Sequence, residues 1–321
     1  MRQTTCALAA ALMLALPAGA DDSSAALGAG GIVFTNTTPI RMAAEDLYLS
    51  PKEVRVRFVF VNDTDRDVAT LVAFPLPDLD TAEFWGSSVG TMTDDPVNFV
   101  GFKALVDGKA VAFKIEQRAF VKGRDVTAVI AATGLPINPV ADEGYRKLDA
   151  LPSAAHQRLV AAGAAETDGT DYVPQWLVRT KFYWPQVFPA RKTVVIEHSY
   201  QPVTGQSFFG AEQASDKDAV QGFCIDPPTA ARIVAQSTAR KHANPDSGGY
   251  LNAYETDYIL KTADNWRGPI GRFHLVLDKL APDNVLTLCW PAPLAKTGPT
   301  TFESTLTDFA PARDIRMLVL N

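Results

Sequence analysis

Basic surplus, histidine and cysteine are all in short supply in this chain, and each shortage narrows the range of functions. Lys and Arg number 30 against 36 Asp and Glu, a formal net charge of −6. Nothing in that balance favours the phosphate backbone of a nucleic acid. The four histidines, His156, His198, His242 and His274, are scattered. Without a His-Glu-x-x-His, a Cys-x-x-Cys or another close ligand spacing, the sequence supports no local metal site and calls for no cofactor. Gly28-Ala29-Gly30-Gly31 lacks the Lys-Ser/Thr ending of a phosphate loop and the spacing of a dinucleotide fingerprint. Beyond the N-terminus there is no apolar run of the roughly 20 residues that a membrane helix needs, so the chain is not expected to span a membrane.

What is present begins with a leader. Met1-Arg2 is followed by an apolar run from Cys6 to Leu16 and by Ala18-Gly19-Ala20 ahead of Asp21. A basic start, a short apolar centre and an Ala-x-Ala ending are the parts of a secretory signal peptide, so residues 1–20 are expected to be cleaved near Ala20 and the product to be periplasmic or secreted. Cys6 would leave with the leader. Of the remaining pair, Cys224 and Cys289, the simplest reading in an exported chain is a disulfide, and two buried free thiols are the alternative.

Strand patterns dominate the rest. Val54, Val56, Phe58 and Phe60 alternate with Arg55 and Arg57, and Val68 to Phe74 follows after an Asp-rich turn, which reads as a hairpin. Asp63, Asp65 and Asp67 imitate the start of a calcium loop, but Val68 stands where its glycine belongs and Phe74 where its bidentate Glu belongs, so a solvated turn is the better reading. Further strands are expected at Phe99 to Val106, Lys109 to Ala119 and Asp125 to Ala131, with Asp107-Gly108 a two-residue hairpin signal. Between about 140 and 163 the pattern turns helical, interrupted at Pro152-Ser153 and ended by Gly163. Thr193 to Tyr200, rich in β-branched and aromatic residues between prolines, is the most convincing strand. Asp226-Pro227-Pro228 starts a helix over 229–241. Strands resume at Ala253 to Lys261, Gly271 to Asp278, Val285 to Cys289, Thr301 to Leu306 and Ile315 to Leu320.

The expected fold is therefore mainly β, with two β-sandwich-like lobes. Residues 21–205 form the first, with a helical insertion, and 206–321 the second, with one helix and the disulfide.

Several blocks in order carry a resemblance: Asp22 to Gly31; Arg41-Met42 with Glu45-Asp46-Leu47-Tyr48; Val72 to Pro77; Phe182 to Gln186 with Phe188-Pro189 and His198-Ser199-Tyr200; and Asn265-Trp266 with Pro269-Ile270 and Phe273. Across essentially all of the chain after its leader, the sequence resembles a family of exported bacterial proteins classed as domain of unknown function 4424. That resemblance implies export and carries over no activity and no site residues.

Candidate site residues come from the aromatic concentration before the best strand and from that strand itself. Tyr183 and Trp184 could form a platform for a sugar, peptide or apolar ligand, or plug the core where the insertion meets the sandwich. His198 is either a ligand-contacting imidazole or a hydrogen-bonded structural one, and Tyr200 shares its strand face. The expectation is a non-catalytic binding or envelope interaction protein whose partner is an envelope protein, peptide or glycan. The competing expectation is a hydrolase with a dispersed site, acting on an envelope glycan, since triads assemble in space rather than in sequence.

Overall fold

In the computed structural model, residues 23–28, 31–35, 39–84, 93, 95–139 and 142–321 are described. The expected leader and the Ala29-Gly30 part of the glycine turn fall outside them. Among the described residues no helix is long and apolar enough to cross a membrane. The fold is mainly β, as its sequence pattern dictates. A seven-stranded and an eight-stranded sheet face each other as a sandwich, and a four-stranded sheet and helices form further layers.

Alternation explains the sandwich. Along Val54–Asn62 the residues Val54, Val56, Phe58 and Phe60 are buried, and Arg55 and Arg57 are exposed. Thr193–Tyr200 buries Val194, Ile196, His198 and Tyr200 in the same way and is paired on both sides, with Val54–Asn62 and with Lys103–Val106. Opposite it stands Leu177–Phe188, which turns Phe182, Trp184 and Phe188 inward. Rings meet across the gap, Phe102 with Phe182 at 4.0 Å, Phe74 with His198 at 4.8 Å and Phe60 with Phe188 at 5.7 Å between centroids. Each large side chain withdrawn from water here contributes about 1.5–3 kcal/mol before ordering costs.

The expected hairpin does not form. Val54–Asn62 lies in the eight-stranded sheet, whereas Val68–Pro75 pairs with Leu177–Phe188 and Ser23–Gly28 in the seven-stranded one. Alternation specifies which face is buried and not which strand lies alongside, so a corner between two sheets reads like a hairpin. Asn62, wholly buried, fixes the corner: its amide donates to the carbonyls of Arg66 (2.8 Å) and Phe188 (2.9 Å), and its Oδ1 accepts from the Thr64 backbone N–H (3.0 Å) and hydroxyl (2.7 Å). The three aspartates of the turn are engaged elsewhere. Asp63 accepts from Arg41 and Arg267, Asp65 from Arg191, and Asp67 from the Ala190 N–H. They form a solvated turn pinned by arginines.

Asp107 and Gly108 do close a hairpin, both at positive φ (49° and 74°), with Leu105 opposite Ala110 and Val106 opposite Lys109. Asp125 to Ala131 departs from expectation: only Arg124–Asp125 is strand, and Thr127–Ala131 is helix. There Asp125 Oδ1 accepts from the Thr127 N–H at 2.9 Å, a local bond that turns the chain out of the ladder. The insertion holds two short helices, Asp142–Asp149 and Ser153–Ala161, and Gly163 ends the second at φ 69°. His156 locks them together, its Nε2 2.7 Å from the Leu148 carbonyl and its ring stacked on Tyr172 at 3.6 Å.

At residue 205 the chain leaves the large sheet for the four-stranded one, ordered Gly205–Phe209, Leu251–Tyr258, Ile315–Leu320, Val285–Leu288. It then returns. Ile270–Asp278 runs parallel beside Ile40–Leu49, and Thr301–Phe309 pairs beyond it, so strands from both sides of residue 205 complete the eight-stranded sheet. Two helices cover the four-stranded sheet. Pro227–Ala243 starts where Asp226 accepts from the Thr229 N–H (2.8 Å). Lys217–Phe223, which the sequence reading did not anticipate, starts where Asp216 accepts from Asp218 and Ala219. Cys224 and Cys289 form a disulfide across a separation of 65 residues. It joins the end of the shorter helix to the end of Val285–Leu288, and on the chain-entropy estimate is worth about 4 kcal/mol.

One face of the four-stranded sheet (Leu251, Ala253, Leu318, Leu320) meets these helices; the other (Tyr258, Ile315, Met317, Val319) enters the main core. Tyr258 crosses that second contact and donates to Glu45 Oε1 at 3.1 Å. Glu45 is completely buried, and burial pushes its carboxyl up to about 8, against the hydrogen bond from Tyr258. A carboxyl raised in the folded state favours the fold most below its unfolded pKa and loses that contribution as pH rises through the folded value. Glu45→Gln is therefore expected to flatten the stability profile between pH 4.5 and 8 and to raise the urea midpoint above the wild type's at pH 9. Parallel urea titrations at pH 5 and pH 9 check this. An unchanged pH slope contradicts it.

Candidate functional site

Where Thr193–Tyr200 ends, the sandwich and the four-stranded sheet part, and a cavity of about 170 Å³ opens between them. Five separate stretches of chain line it. The Leu76–Phe84 segment follows Val68–Pro75 after Pro75-Leu76-Pro77 stops the strand, since proline supplies no ladder donor. It is fastened to the sandwich by Thr81, whose hydroxyl donates to the Trp176 carbonyl at 2.8 Å. Phe99 and Val100 form a second wall, tied down by the Gln201 N–H to the Val100 carbonyl at 3.0 Å. Glu255, Asp257 and Arg316 come from the four-stranded sheet, where Asp257 and Arg316 are direct cross-strand partners.

Charge at this mouth is lopsided. Arg316 donates to Glu255 at 2.9 Å, reaches Asp257 at 3.7 Å and lies over the Phe223 ring at 4.8 Å. Asp78 pairs with Arg179 at 2.9 Å, and Asp80 accepts from the Ala82 N–H at 2.9 Å. Glu83 has no hydrogen bond or ion pair among the described residues. Burial, then the Glu255 and Asp80 charges, hold its carboxyl above the usual range, against Arg316. Asp257 is pushed up to about 6, first by burial, with Glu255, Asp314 and Glu83 adding to it and Arg316 opposing. Its side chain keeps 46% exposure, so solvent screens the carboxyl and the shift is no large stability term.

Tyr200 lines the same cavity from the sandwich side. It is 5% exposed, and its hydroxyl has no hydrogen-bond partner among the described residues. Burial raises the phenol's pKa further, so the group is neutral and able to donate or accept. An orphaned buried hydroxyl costs about 1–3 kcal/mol and calls for an explanation.

The structure does not gather the four sequence-predicted residues into one site. Tyr183 and Trp184 are consecutive on a strand and face opposite ways. Trp184 points into the core, and Tyr183 packs outside on Leu71, Ala73 and Ala25. His198 is 3% exposed, ringed by Phe74, Phe102, Trp184 and Phe58 at centroid distances of 4.8 to 5.6 Å, and burial drives its imidazole down to about 3. Of the four, Tyr200 lies at the cavity. Glu83, Glu255, Asp257 and Arg316 went unnoticed in the sequence. The alternation of Glu255 and Asp257 along a strand was readable, but their convergence with Arg316 depends on inter-strand register.

A second, shallow groove of about 440 Å³ crosses the outer face of the eight-stranded sheet. Several of its charges are paired: Asp46 accepts from Arg57 and Arg272, His274 lies 3.1 Å from Glu303, and Arg55 sits over Tyr48 at 4.1 Å. His274 and Ser199 are three strand spacings apart, about 14 Å, so they do not make a nucleophile and its base. Among the described residues no group of three or more His, Cys, Asp or Glu is placed to hold a metal ion.

A family model described as a domain of unknown function (DUF4424) matches residues 20–318. No curated protein matches. Among solved structures, the crystal structure of a "putative nutrient binding protein" from Legionella pneumophila aligns at 15% identity with a TM-score of 0.45. The alignment covers 94% of this chain and 70% of that one. So distant a likeness carries no argument here.

Burial first, with the neighbouring carboxylates adding to it, raises the Asp257 carboxyl above the usual range. A carboxyl-resolved NMR titration is expected to give it a midpoint of about 6. Glu255→Gln should lower that midpoint by removing a repelling charge, and Arg316→Met should raise it by removing the attracting one. A midpoint in the ordinary carboxylate range near 4 contradicts the geometry.

Proposed function

The chain belongs to the family described as a domain of unknown function (DUF4424), and from that footing we propose that it is an exported, non-catalytic binding protein. Its ligand seat is the cavity beside Tyr200. The observation that carries this reading is the orphaned, buried hydroxyl of Tyr200 in a residue that lines a concave site: on this reading a bound molecule reaches that hydroxyl and supplies the partner that the described residues do not. Export rests on the leader over residues 1–20. The cavity's size favours a small solute over the peptide or glycan otherwise expected of an envelope protein.

One observation favours the competing hydrolase reading. Gly86-Ser87-Ser88-Val89-Gly90 spells the Gly-x-Ser-x-Gly pattern. That motif acts on a strand-to-helix elbow of an α/β sheet, and the segment lies outside the described residues of a mainly β protein. The histidines give it no support: His198 and His156 are buried in packing roles, and His274 sits on the outer sheet face.

The test uses protein released from the periplasm and never exposed to denaturant. Native mass spectrometry is expected to show a small bound mass in the wild type, with its occupancy reduced about tenfold in Tyr200→Phe, in line with one lost hydrogen bond. Because the hydroxyl has no partner among the described residues, Tyr200→Phe should melt at the same temperature or slightly higher. A drop of several degrees contradicts the reading, and so does turnover of any ester or glycoside by the purified chain.

A further inference from the structure

We propose that the cavity beside Tyr200 takes a small aliphatic amine, bound as its ammonium by the carboxylates of Glu83 and Asp257 with the Tyr200 hydroxyl as a neutral partner. The proposal rests on the binding reading above and adds the chemical class of the ligand.

Charge comes first. Apart from Asp78, which Arg179 neutralises, the lining holds Asp80, Glu83, Glu255 and Asp257 against the single cation Arg316 among the described residues. That arginine is already committed. Glu255 and Asp257 hold its guanidinium edge, and Phe223 covers its face. It therefore cannot readily receive a ligand carboxylate. Glu83, in contrast, meets repelling charges from Glu255 and Asp80 and has no bonded cation among the described residues. A second cation entering the cavity would relieve that repulsion, and an anion would add to it.

Shape and lining select among cations. The walls include Leu76, Leu79, Phe84 and Phe99, apolar surface that a hydrated metal ion does not use and that an alkyl chain does. A hard cation would moreover require six to eight oxygen ligands at about 2.3–2.6 Å in the case of calcium, and no such group is assembled among the described residues. The volume of about 170 Å³ is close to that of the engineered apolar cavity of about 150 Å³ that admits benzene. A ligand of about six heavy atoms is therefore the right scale. One ammonium at the carboxylates with a short methylene chain along the apolar wall satisfies both halves of the lining. On this proposal the orphaned Tyr200 phenol, whose oxygen is buried in the ligand-free protein, accepts from an amine N–H or a second ammonium once the ligand is seated.

Isothermal titration of the exported protein at pH 8 with 1,4-diaminobutane, 1,4-butanediol and succinate separates the possibilities, since the three share a four-carbon scaffold and differ in charge. The diamine is expected to bind, the diol at least tenfold more weakly, and succinate not at all. Glu83→Gln and Asp257→Asn, both at exposed positions where folding should persist, are each expected to weaken the diamine about tenfold, as loss of a charge-assisted hydrogen bond would. Thermal melts confirm that the variants are folded. Binding of the diol or of succinate as tightly as the diamine, or a diamine affinity unmoved in both variants, overturns the amine class while leaving a ligand cavity standing. Failure of the diamine to bind the folded wild type overturns the amine class, and the native mass spectrometry above decides separately whether the cavity holds any ligand.

Discussion

Everything in this molecule depends on burying one face of Thr193–Tyr200. The strand sits between Val54–Asn62 and Lys103–Val106 with its inward residues against Phe74, Phe182 and Trp184 of the facing sheet. Because it is paired along both edges and covered on its inner face, it cannot move without opening the aromatic layer. That layer is tolerant of polar guests only in their neutral forms. His198 is held far below its ordinary range, and the Tyr200 phenol well above. In each case low-dielectric surroundings penalise the charged state.

The same constraint produces the cavity. Tyr200 is the last inward residue of the strand, and beyond it Pro202 ends the ladder and the chain crosses to the four-stranded sheet. That sheet is a middle layer, with the helices on one side and the main core on the other. Its Glu255, Asp257 and Arg316 share the face that bears Leu251, Ala253 and Leu318, and at the end of that face the shorter helix covers Arg316 with Phe223 while Asp257 stays exposed. Polar groups therefore collect where two well-packed layers diverge, and Tyr200 of one layer lines the same cavity as the carboxylates of the other. The disulfide steadies this arrangement by fixing the helix that carries Phe223, the ring beneath Arg316.

Face and class were legible in the sequence; neighbours were not. The alternation of Val54, Val56, Phe58 and Phe60, the Asp107-Gly108 hairpin, the Asp226 helix start, the helical insertion and the cysteine pairing could all be read locally, because each depends on residues close together or on composition. The corner at Asn62 looked like a hairpin, since alternation is identical for both. The parallel return of Ile270–Asp278 to Ile40–Leu49 had no local signal at all. The candidate site suffered the same limit. Tyr183 and Trp184 are adjacent in sequence and so read as one platform, whereas consecutive strand residues must face opposite ways. Tyr200 is legible as a residue on the strand face of His198, but its companions Glu83, Glu255, Asp257 and Arg316 come from segments far apart in the chain.

The central claim is that the divergence of the layers at Tyr200 forms a seat for a ligand and is not an accident of packing. The most direct measurement is a crystal structure of the protein grown with saturating 1,4-diaminobutane. The account predicts an ammonium nitrogen within about 2.7–3.2 Å of a carboxylate oxygen of Glu83 or Asp257, with the methylene chain against Leu79 and Phe84. A cavity that holds only water under those conditions, or that collapses onto Tyr200, contradicts it.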